Sequence, residues 1–437
     1  MRAARVRSAA GERVSAEELA ARYRSVRRAT ERIAEGLSAE DCAAQSMPEA
    51  SPIRWHLAHT SWFFETFVLA RALPGSKPFD PAYGYLFNSY YNSVGERVPR
   101  PERGRITRPG LEEIRAYRRH VDARIAEVLA QARTAAPAEL ELGLQHEQQH
   151  QELMLTDLKN LLWSSPLRPA YRPFAGADGR NGGPCAFLPY AGGLHWVGHS
   201  GEGFAYDNEG PRHRAFTAPF ELASRPVTNG EYLEFVETGG YRDPMLWLSD
   251  GWDWVVAERI EVPLYWEKGE RGRRVFTLAG ERELDLAEPV VHVSFYEADA
   301  FARWAGARLP REEEWELAAH ELPVEGQLAE SEVFHPLPVR AADPARPAAM
   351  FGTVWEWTMS PYVAYPGYRA GPGALGEYNG KFMCNRMVLR GGSCASPASH
   401  LRASYRNFFL PTARWQFSGI RLARDGSGGN GDAMKGP

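Results

Sequence analysis

The sequence has no apolar run of about 18 residues or more, so it predicts no membrane-spanning helix. The basic N-terminus also lacks the apolar core of a secretory signal. The four cysteines, Cys42, Cys185, Cys384 and Cys394, show no paired spacing, which argues against a disulfide framework. These absences together predict a protein of the reducing cytoplasm.

The chain also has no excess of charge of either sign. Its formal net charge of −4 gives no reason to expect nucleic acid or an anionic membrane as a partner. A hydrophobic content of 44% and a charged content of 24% are typical of a globular protein with a sizeable core. No long apolar surface helix is predicted, and we therefore expect a monomer.

Four helices are predicted in the first part of the chain. Ser15 is a suitable N-cap for the first, and Gly36 is a stop signal after it. The predicted helices cover residues 15–37, 53–73, 111–132 and 140–162. Helices joined by loops favour a bundle, in which facing helices can hold a metal ion between them.

The second part of the chain has a different character. A proline- and glycine-rich stretch separates it from the helices, and short strands with glycine- and tryptophan-rich turns follow. Helices are predicted at residues 229–238, 294–305 and 311–320. We predict an α+β multidomain protein with a helical bundle at 15–165, a linker at 166–184, an α/β domain at 185–424 and a disordered tail at 425–437.

Two histidine pairs stand at helical spacing. His146 and His150 are four residues apart, so they share a helix face and can converge on one metal ion. His56 and His59 are three apart on the second predicted helix, and either one can supply a third imidazole. A lone histidine on a helix is usually an ordinary surface or core residue, but two same-face pairs favour a metal site. Imidazole suits Zn, Cu, Fe and Ni alike, so the ligands alone do not choose the metal.

The segment His146-Glu147-x-x-His150 also matches the zinc-protease pattern, in which the glutamate is the general base. The match is short, and no glycine-and-histidine extension follows it. A non-redox zinc-binding protein and a lectin-like binding protein therefore stay open as alternatives of another class.

Ordered motifs in the second half carry a family resemblance. They begin at Pro226, Pro289, Ala305, Gly352, Val388 and Phe417. In that order they resemble the formylglycine-generating-enzyme/sulfatase-modifying domain, a C-type-lectin-like α/β fold. The histidine pattern of the first half resembles a DinB-like four-helix bundle. The combination, over residues 15–424, resembles the ergothioneine-pathway sulfoxide synthases (EgtB-like), including their selenoneine synthase branch.

The resemblance implies an iron enzyme. Non-haem Fe(II) would be held by His59, His146 and His150, and O2 would be used to join a chalcogen to C2 of the imidazole of hercynine. The donor would be cysteine or γ-glutamylcysteine, giving a sulfoxide, or in the sister branch a selenosugar, 1-seleno-glucose. One sequence does not separate these donors.

The resemblance also implies roles around the metal. Gln149 would hydrogen-bond hercynine, and Tyr91 or Tyr90 would deliver a proton or an electron to the oxygen. Both tyrosines equally suit packing of their loop against the bundle. Glu152 is expected either to orient a ligand imidazole or to be an ordinary solvated charge.

Two groups of residues are expected to hold the substrates. Arg97 and Arg100 suit carboxylates of the sulfur donor, because arginine forms bidentate pairs, although an exposed basic loop has the same composition. A quaternary ammonium has no N–H to donate and needs an aromatic face, for which core aromatics are the alternative explanation. The residues predicted for this wall are Trp415, Phe417, Arg406 and Asn407.

Overall fold

The computed structural model describes residues 15–130, 137–173, 183–201, 203–270, 272–339 and 343–426. They form two units, each with its own set of internal contacts. The bundle unit comprises the described residues within 1–164 together with Ser200–Asp207 and Arg369–Gly380. The sheet unit comprises those within Ser165–His199, Asn208–Tyr368 and 381–437. The sequence had assigned both 200–207 and 369–380 to the C-terminal domain, whereas their contacts place them in the bundle unit.

The four predicted helices of the bundle unit are present, and two short helices, Ala39–Ala43 and Tyr83–Leu86, were not predicted. In chain order they are α1 (Ala16–Ala34), α2 (Ala39–Ala43), α3 (Ile53–Phe63), α4 (Ala70–Ala72), α5 (Tyr83–Leu86), α6 (Leu111–Ala130) and α7 (Pro137–Ser164). Ser15 is the N-cap of α1, as predicted, and it forms a capping box with Glu18. A π-helical turn, Phe64–Leu69, continues α3 towards α4 and was not expected.

Helices α1, α3, α6 and α7 are joined by a buried ionic cluster. Its centre is Glu147 on α7, whose two carboxylate oxygens accept from Arg27 on α1 at 3.0 Å and from Arg118 on α6 at 3.1 Å. The same arginines reach α3, where they donate to Ser61 at 2.8 Å and Thr60 at 3.0 Å. Burial alone would raise the pKa of Glu147, but the two guanidiniums outweigh it and hold the pKa below its usual value. The cluster therefore fixes which face of each helix points inward.

The sheet unit contains four helices and twelve strands among its described residues. The helices are α8 (Asn229–Glu237), α9 (Ser249–Glu258), α10 (Phe295–Trp304) and α11 (Glu312–Ala319). The strands are β1 (Phe187–Tyr190), β2 (Gly193–Val197), β3 (His213–Thr217), β4 (Phe220–Ala223), β5 (Trp266–Lys268), β6 (Arg273–Thr277), β7 (Gly280–Glu283), β8 (Trp355–Pro361), β9 (Met387–Arg390), β10 (Asn407–Phe409), β11 (Ser418–Gly419) and β12 (Ala423–Asp425). The turn α12 (Glu377–Gly380) belongs to the bundle unit.

Four small sheets organise these strands. Their strand orders are β1-β4-β12, β10-β9-β8-β11, β2-β3 and β5-β6-β7. Only β8 and β11 pair in parallel among the described strands, and the other ladders are antiparallel. Thr228 and Ser294 cap α8 and α10 through capping boxes, which confirms two predicted helix starts. Helix α9 was not predicted, because Gly251 and its tryptophans obscure a helical pattern.

The ends of the predicted linker and tail take part in the fold. Arg168 in the first part of the linker pairs with Glu267 at 2.6 Å and with Glu281 at 2.7 Å. Asp425, predicted to begin the tail, ends strand β12, and residues 427–437 lie outside the described part of the chain. None of the helices described is both long and apolar enough to cross a membrane.

Candidate metal centre

Three buried histidines meet inside the bundle unit. His59 lies on α3, and His146 and His150 lie one turn apart on α7. Each offers one ring nitrogen to a common point, and these ligand atoms all lie within 4.8 Å of one another. His146 and His150, four residues apart on α7, therefore lie together on one face of the helix, as the sequence predicted.

Hydrogen bonds determine which nitrogen of His59 faces the centre. Its Nδ1 donates to the carbonyl oxygen of Phe87 at 2.6 Å, so Nε2 keeps a lone pair. That Nε2 lies 3.2 Å from Nε2 of His146. Two nitrogens at about 2.1 Å from one ion and at a right angle would be about 3.0 Å apart, so this separation suits shared coordination.

The structure also resolves the choice between His56 and His59. The Nδ1 of His56 contacts Nδ1 of His150 at 2.7 Å, and its Nε2 contacts Asp157 at 3.1 Å. Both nitrogens of His56 are thereby occupied, whereas Nε2 of His59 faces the other two histidines. His59 is the third member of the cluster, and His56 stands behind His150.

The charge state of the cluster fits a cation. Burial lowers the pKa of His146 to about 4 and lowers the pKa of His59 and His150 well below the usual value. All three rings are therefore neutral at physiological pH, which is the form that binds metals. Nδ1 of His146 is buried without a hydrogen-bond partner among the described residues. Nitrogen lone pairs that face each other in a dry site repel unless a cation lies between them.

Glu147 cannot serve as the base of a zinc protease. Its carboxylate belongs to the ionic cluster with Arg27 and Arg118, and the side chain is fully buried there. Both carboxylate oxygens are directed at these arginines, at 3.0 Å and 3.1 Å, so neither is available to activate a water at the histidines. The match to the protease pattern in the sequence is therefore accidental.

Glu152 does not orient a ligand imidazole either. In each histidine the second ring nitrogen is Nδ1. In His59 it contacts the Phe87 carbonyl, and in His150 it contacts His56. In His146 it has no hydrogen-bond partner among the described residues. The carboxylate that reaches a ligand is Asp157, through His56. That residue was missed, although it lies seven positions after His150 and thus on the same face of α7.

Aromatic rings enclose the histidines. Trp55 and Trp62 both stack on His59, with their ring centroids 4.6 Å and 5.5 Å from the centroid of the imidazole. Phe63 stacks on His146 at 4.6 Å. The histidines and the rings around them are buried, and charges interact more strongly in such a low-dielectric environment.

Tyr91 is held by the same aromatic shell. It is buried, and its ring lies 5.0 Å from Phe67, 5.9 Å from Trp62 and 6.3 Å from Phe63. Burial, reinforced by Tyr378 and Glu377, raises the pKa of the Tyr91 phenol well above its usual range. Tyr91 is therefore a protonated phenol, and it packs against aromatic residues that themselves stack on His59 and His146.

The inserted segment Arg369–Gly380 contacts the loop that carries Tyr90 and Tyr91, here called the tyrosine loop. The carboxylate of Glu377 accepts from the backbone N–H groups of Asn92 and Ser93, both at 2.9 Å. The ring of the next residue, Tyr378, lies 6.2 Å from Tyr90. Sequence reasoning missed both residues, because nothing local links position 377 to position 92.

The other predicted residues of the bundle unit lie close to this loop or to α7. Arg97 donates to the side chain of Asn92, and Arg100 lies over the ring of Tyr90 at 5.5 Å. Gln149 is half-buried between His146 and His150 in the sequence of α7. Their contacts with substrates stay predictions.

The residues predicted for a second substrate wall lie in the sheet unit. Arg406 is buried, and its guanidinium donates to both oxygens of Glu312 at 2.9 Å and to two carbonyl groups. Phe417 is fully buried, with its ring 5.0 Å from His292. These two side chains hold the core of the unit, while Trp415 and Asn407 are half-buried. A role of these four residues in binding substrate stays a prediction.

Comparison with known proteins identifies relatives of both units. The sulfatase-modifying factor enzyme 1-like domain matches residues 186–334 and 342–426, and the DinB superfamily matches residues 22–154. Hercynine oxygenase of Mycobacterium tuberculosis is 34% identical over 439 residues, covering 94% of this chain and 99% of that protein. Hercynine oxygenase of Mycolicibacterium smegmatis is 34% identical over 442 residues, covering 94% and 100%. Ergothioneine biosynthesis protein 1 of Schizosaccharomyces pombe is 27% identical over 242 residues, covering 51% of this chain and 28% of that protein.

Proposed function

The chain belongs to the hercynine oxygenase family, and from that premise we propose that it is a non-haem Fe(II), O2-dependent enzyme acting on hercynine. The proposed reaction forms a carbon–chalcogen bond at C2 of the hercynine imidazole. With a thiol donor, the C2–H and S–H groups give up their two hydrogens. One oxygen atom of O2 goes to sulfur, and the other leaves as water.

The observation that carries this proposal is the buried cluster of His59, His146 and His150. Three neutral imidazoles occupy only part of the coordination sphere of an octahedral metal, so positions remain for substrates and O2. Iron bound there would supply electron exchange with O2, which zinc cannot. Neutral ligands also leave the site positively charged when the metal is bound, which favours an anionic thiolate or selenolate.

The protein's own residues would bind and orient the substrates. We assign hercynine to the side of α7 that carries Gln149, whose amide can donate and accept. Arg97 and Arg100 lie on the loop that also carries Tyr91, and their guanidiniums suit the carboxylates of cysteine or γ-glutamylcysteine. A selenosugar donor would instead need contacts to hydroxyl groups, and it is the second donor that the experiment must include.

The proposed setting is the cytoplasm, with the protein acting as a monomer. None of the four cysteines forms a disulfide bond, and Cys42 and Cys394 are buried. Thiols without disulfide partners suit a reducing compartment.

Product mass tests the proposed function. Protein loaded anaerobically with Fe(II) is mixed with hercynine and with cysteine, γ-glutamylcysteine or 1-seleno-glucose in separate reactions, and O2 is then admitted. We expect one donor to give a product with the mass of hercynine plus donor, less two hydrogens and plus any retained oxygen. Zinc-loaded protein is the control and should give none. No adduct from any donor, with Fe(II) bound, would refute the proposal.

Tyr91 is proposed, with Tyr90 as the alternative, to deliver a proton or an electron to the oxygen, and replacing Tyr91 by phenylalanine tests this role. The ring packing is kept and only the hydroxyl is lost, so Fe(II) should bind as in the parent. Loss of a general acid typically slows a step by about 100- to 10,000-fold, and we expect adduct formation to fall into that range. Adduct and oxidised thiol are quantified by mass spectrometry after single turnover.

Two matched variants identify which hydroxyl matters. Tyr90→Phe removes the neighbouring phenol of the same loop, and Tyr378→Phe removes the phenol of the inserted segment that lies 6.2 Å from Tyr90. Parental rates for Tyr91→Phe, together with a slow Tyr90→Phe or Tyr378→Phe enzyme, would transfer the role to that residue.

A further inference from the structure

A chain of three buried side chains runs outward from the metal centre. It consists of His150, His56 and Asp157, with contacts of 2.7 Å between the two histidines and 3.1 Å between His56 and the carboxylate. His56 is 2% exposed and Asp157 is 6% exposed, so the chain is shielded from water along its length. Of these three residues only His150 belongs to the histidine cluster, so His56 and Asp157 act on the metal site through it.

The carboxylate at one end and the metal ligand at the other determine which atom donates in each of the two hydrogen bonds. A carboxylate only accepts, so the Nε2 atom of His56 must carry the hydrogen of its contact with Asp157. If His150 binds a metal through Nε2, its Nδ1 carries a hydrogen and can only donate. The remaining nitrogen of His56, Nδ1, is then the acceptor of that hydrogen bond. Each hydrogen bond has one donor and one acceptor in this arrangement, and no alternative tautomer satisfies both ends.

Asp157 is itself fixed from a second direction. Its Oδ2 accepts from the backbone N–H of Ser51 at 2.8 Å, and the hydroxyl of Ser51 accepts from Arg103 at 2.8 Å. Arg103 lies flat on Trp55 at 3.4 Å, and Trp55 stacks on His59. The chain is therefore anchored to the residues that precede α3, and the carboxylate cannot turn away from His56 without breaking the bond to Ser51.

We propose that His56 and Asp157 are positioning residues of the metal centre, which hold His150 in the tautomer and ring orientation that present Nε2 to the metal. This inference rests on the metal site of the proposed function. A ring nitrogen bonded to a carboxylate, here through a second imidazole, also makes the ligand a stronger base. The Phe87 carbonyl orients the ring of His59 in the same way, so His59 and His150 each donate from Nδ1 to an acceptor of their own.

Cobalt binding tests the proposal without any enzymatic turnover. Co(II) is titrated anaerobically into apo-protein against a competing chelator, and its visible d–d spectrum reports the ligand geometry. Asp157→Asn and His56→Phe should each bind Co(II) about 10- to 100-fold more weakly than the parent. His56→Gln should recover part of the loss, because its amide can accept from His150 and donate to Asp157. The d–d bands of the bound fraction should shift in His56→Phe.

Glu152→Gln is the matched control. It removes a carboxylate from the same helix, two residues after His150, and should bind Co(II) with parental affinity and spectrum. Parental affinity and spectrum in Asp157→Asn and His56→Phe would overturn the proposal, as would a loss in Glu152→Gln as large as that in Asp157→Asn.

Folding is checked separately by the helical circular dichroism of each apo-protein. If His56→Phe does not fold, Asp157→Asn and His56→Gln decide, and reduced stability with an unchanged cobalt spectrum and affinity would assign the chain a structural role only. A protein that binds Co(II) with this dependence but forms no hercynine adduct would refute the proposed function and leave the positioning role standing. A parent that binds no Co(II) would overturn both.

Discussion

Replacing His150 by alanine is expected to abolish tight metal binding and product formation. Loss of an orienting partner alone typically weakens a metal site by about 10- to 100-fold, so loss of a ligand should cost more than about 100-fold. The bundle should stay folded, because His150 makes no contact with the ionic cluster of Glu147, Arg27 and Arg118 in the hydrogen bonds that hold that cluster. Metal content after anaerobic loading, the apparent dissociation constant and the adduct rate are measured together.

His120→Ala is the control for His150→Ala. His120 lies on α6 in the same unit, with its ring 5.2 Å from Phe79 and outside the metal cluster. It should retain metal and activity. Full metal content in the His150 variant would remove that residue from the ligand set, and equal losses in both variants would point to a general folding defect.

Replacing Glu147 by glutamine is expected to destabilise the bundle strongly. The carboxylate neutralises Arg27 and Arg118, and all three side chains are buried. Removing one partner of a buried ion pair typically costs about 3–5 kcal/mol. Arg27 and Arg118 would stay desolvated and would keep only their more exposed partners, Asp122 and Glu31. Thermal unfolding of the apo-protein, followed by helical circular dichroism, should shift down by roughly 10 °C.

Glu141→Gln provides the comparison on the same helix. Glu141 pairs with Arg22 at 2.8 Å, but the arginine side chain is 42% exposed. Exposed pairs contribute about 0.2–1 kcal/mol, so the midpoint should hardly move. Equal shifts in the two variants would show that burial of the Glu147 cluster does not carry the stability assigned to it.

The main helices and the pair of His146 and His150 could be predicted because their signals are local. A capping box needs only Ser15 and Glu18, and two ligands one turn apart need only the helical period. The four-helix arrangement followed from counting such segments. Periodicity therefore predicted a site made of His146, His150 and one histidine of the pair His56 and His59.

The orientation of groups around the metal could not be predicted, because distant residues determine it. His56 and His59 share a face, and the choice between them depends on the carbonyl of Phe87 and the carboxylate of Asp157. The direction of Glu147 likewise depends on Arg27, which lies 120 residues away. Spacing says which residues share a face, but it does not say which partner each nitrogen or oxygen meets.

The segment Arg369–Gly380 gives the bundle unit an order of assembly during synthesis. All three histidines have left the ribosome long before Glu377 is made, since Asn92 and Glu377 are separated by 285 residues. Chains generally fold from the N-terminus as they emerge. The cluster of three histidines can therefore form on a nascent chain in which Glu377 has not yet anchored the loop at Asn92 and Ser93.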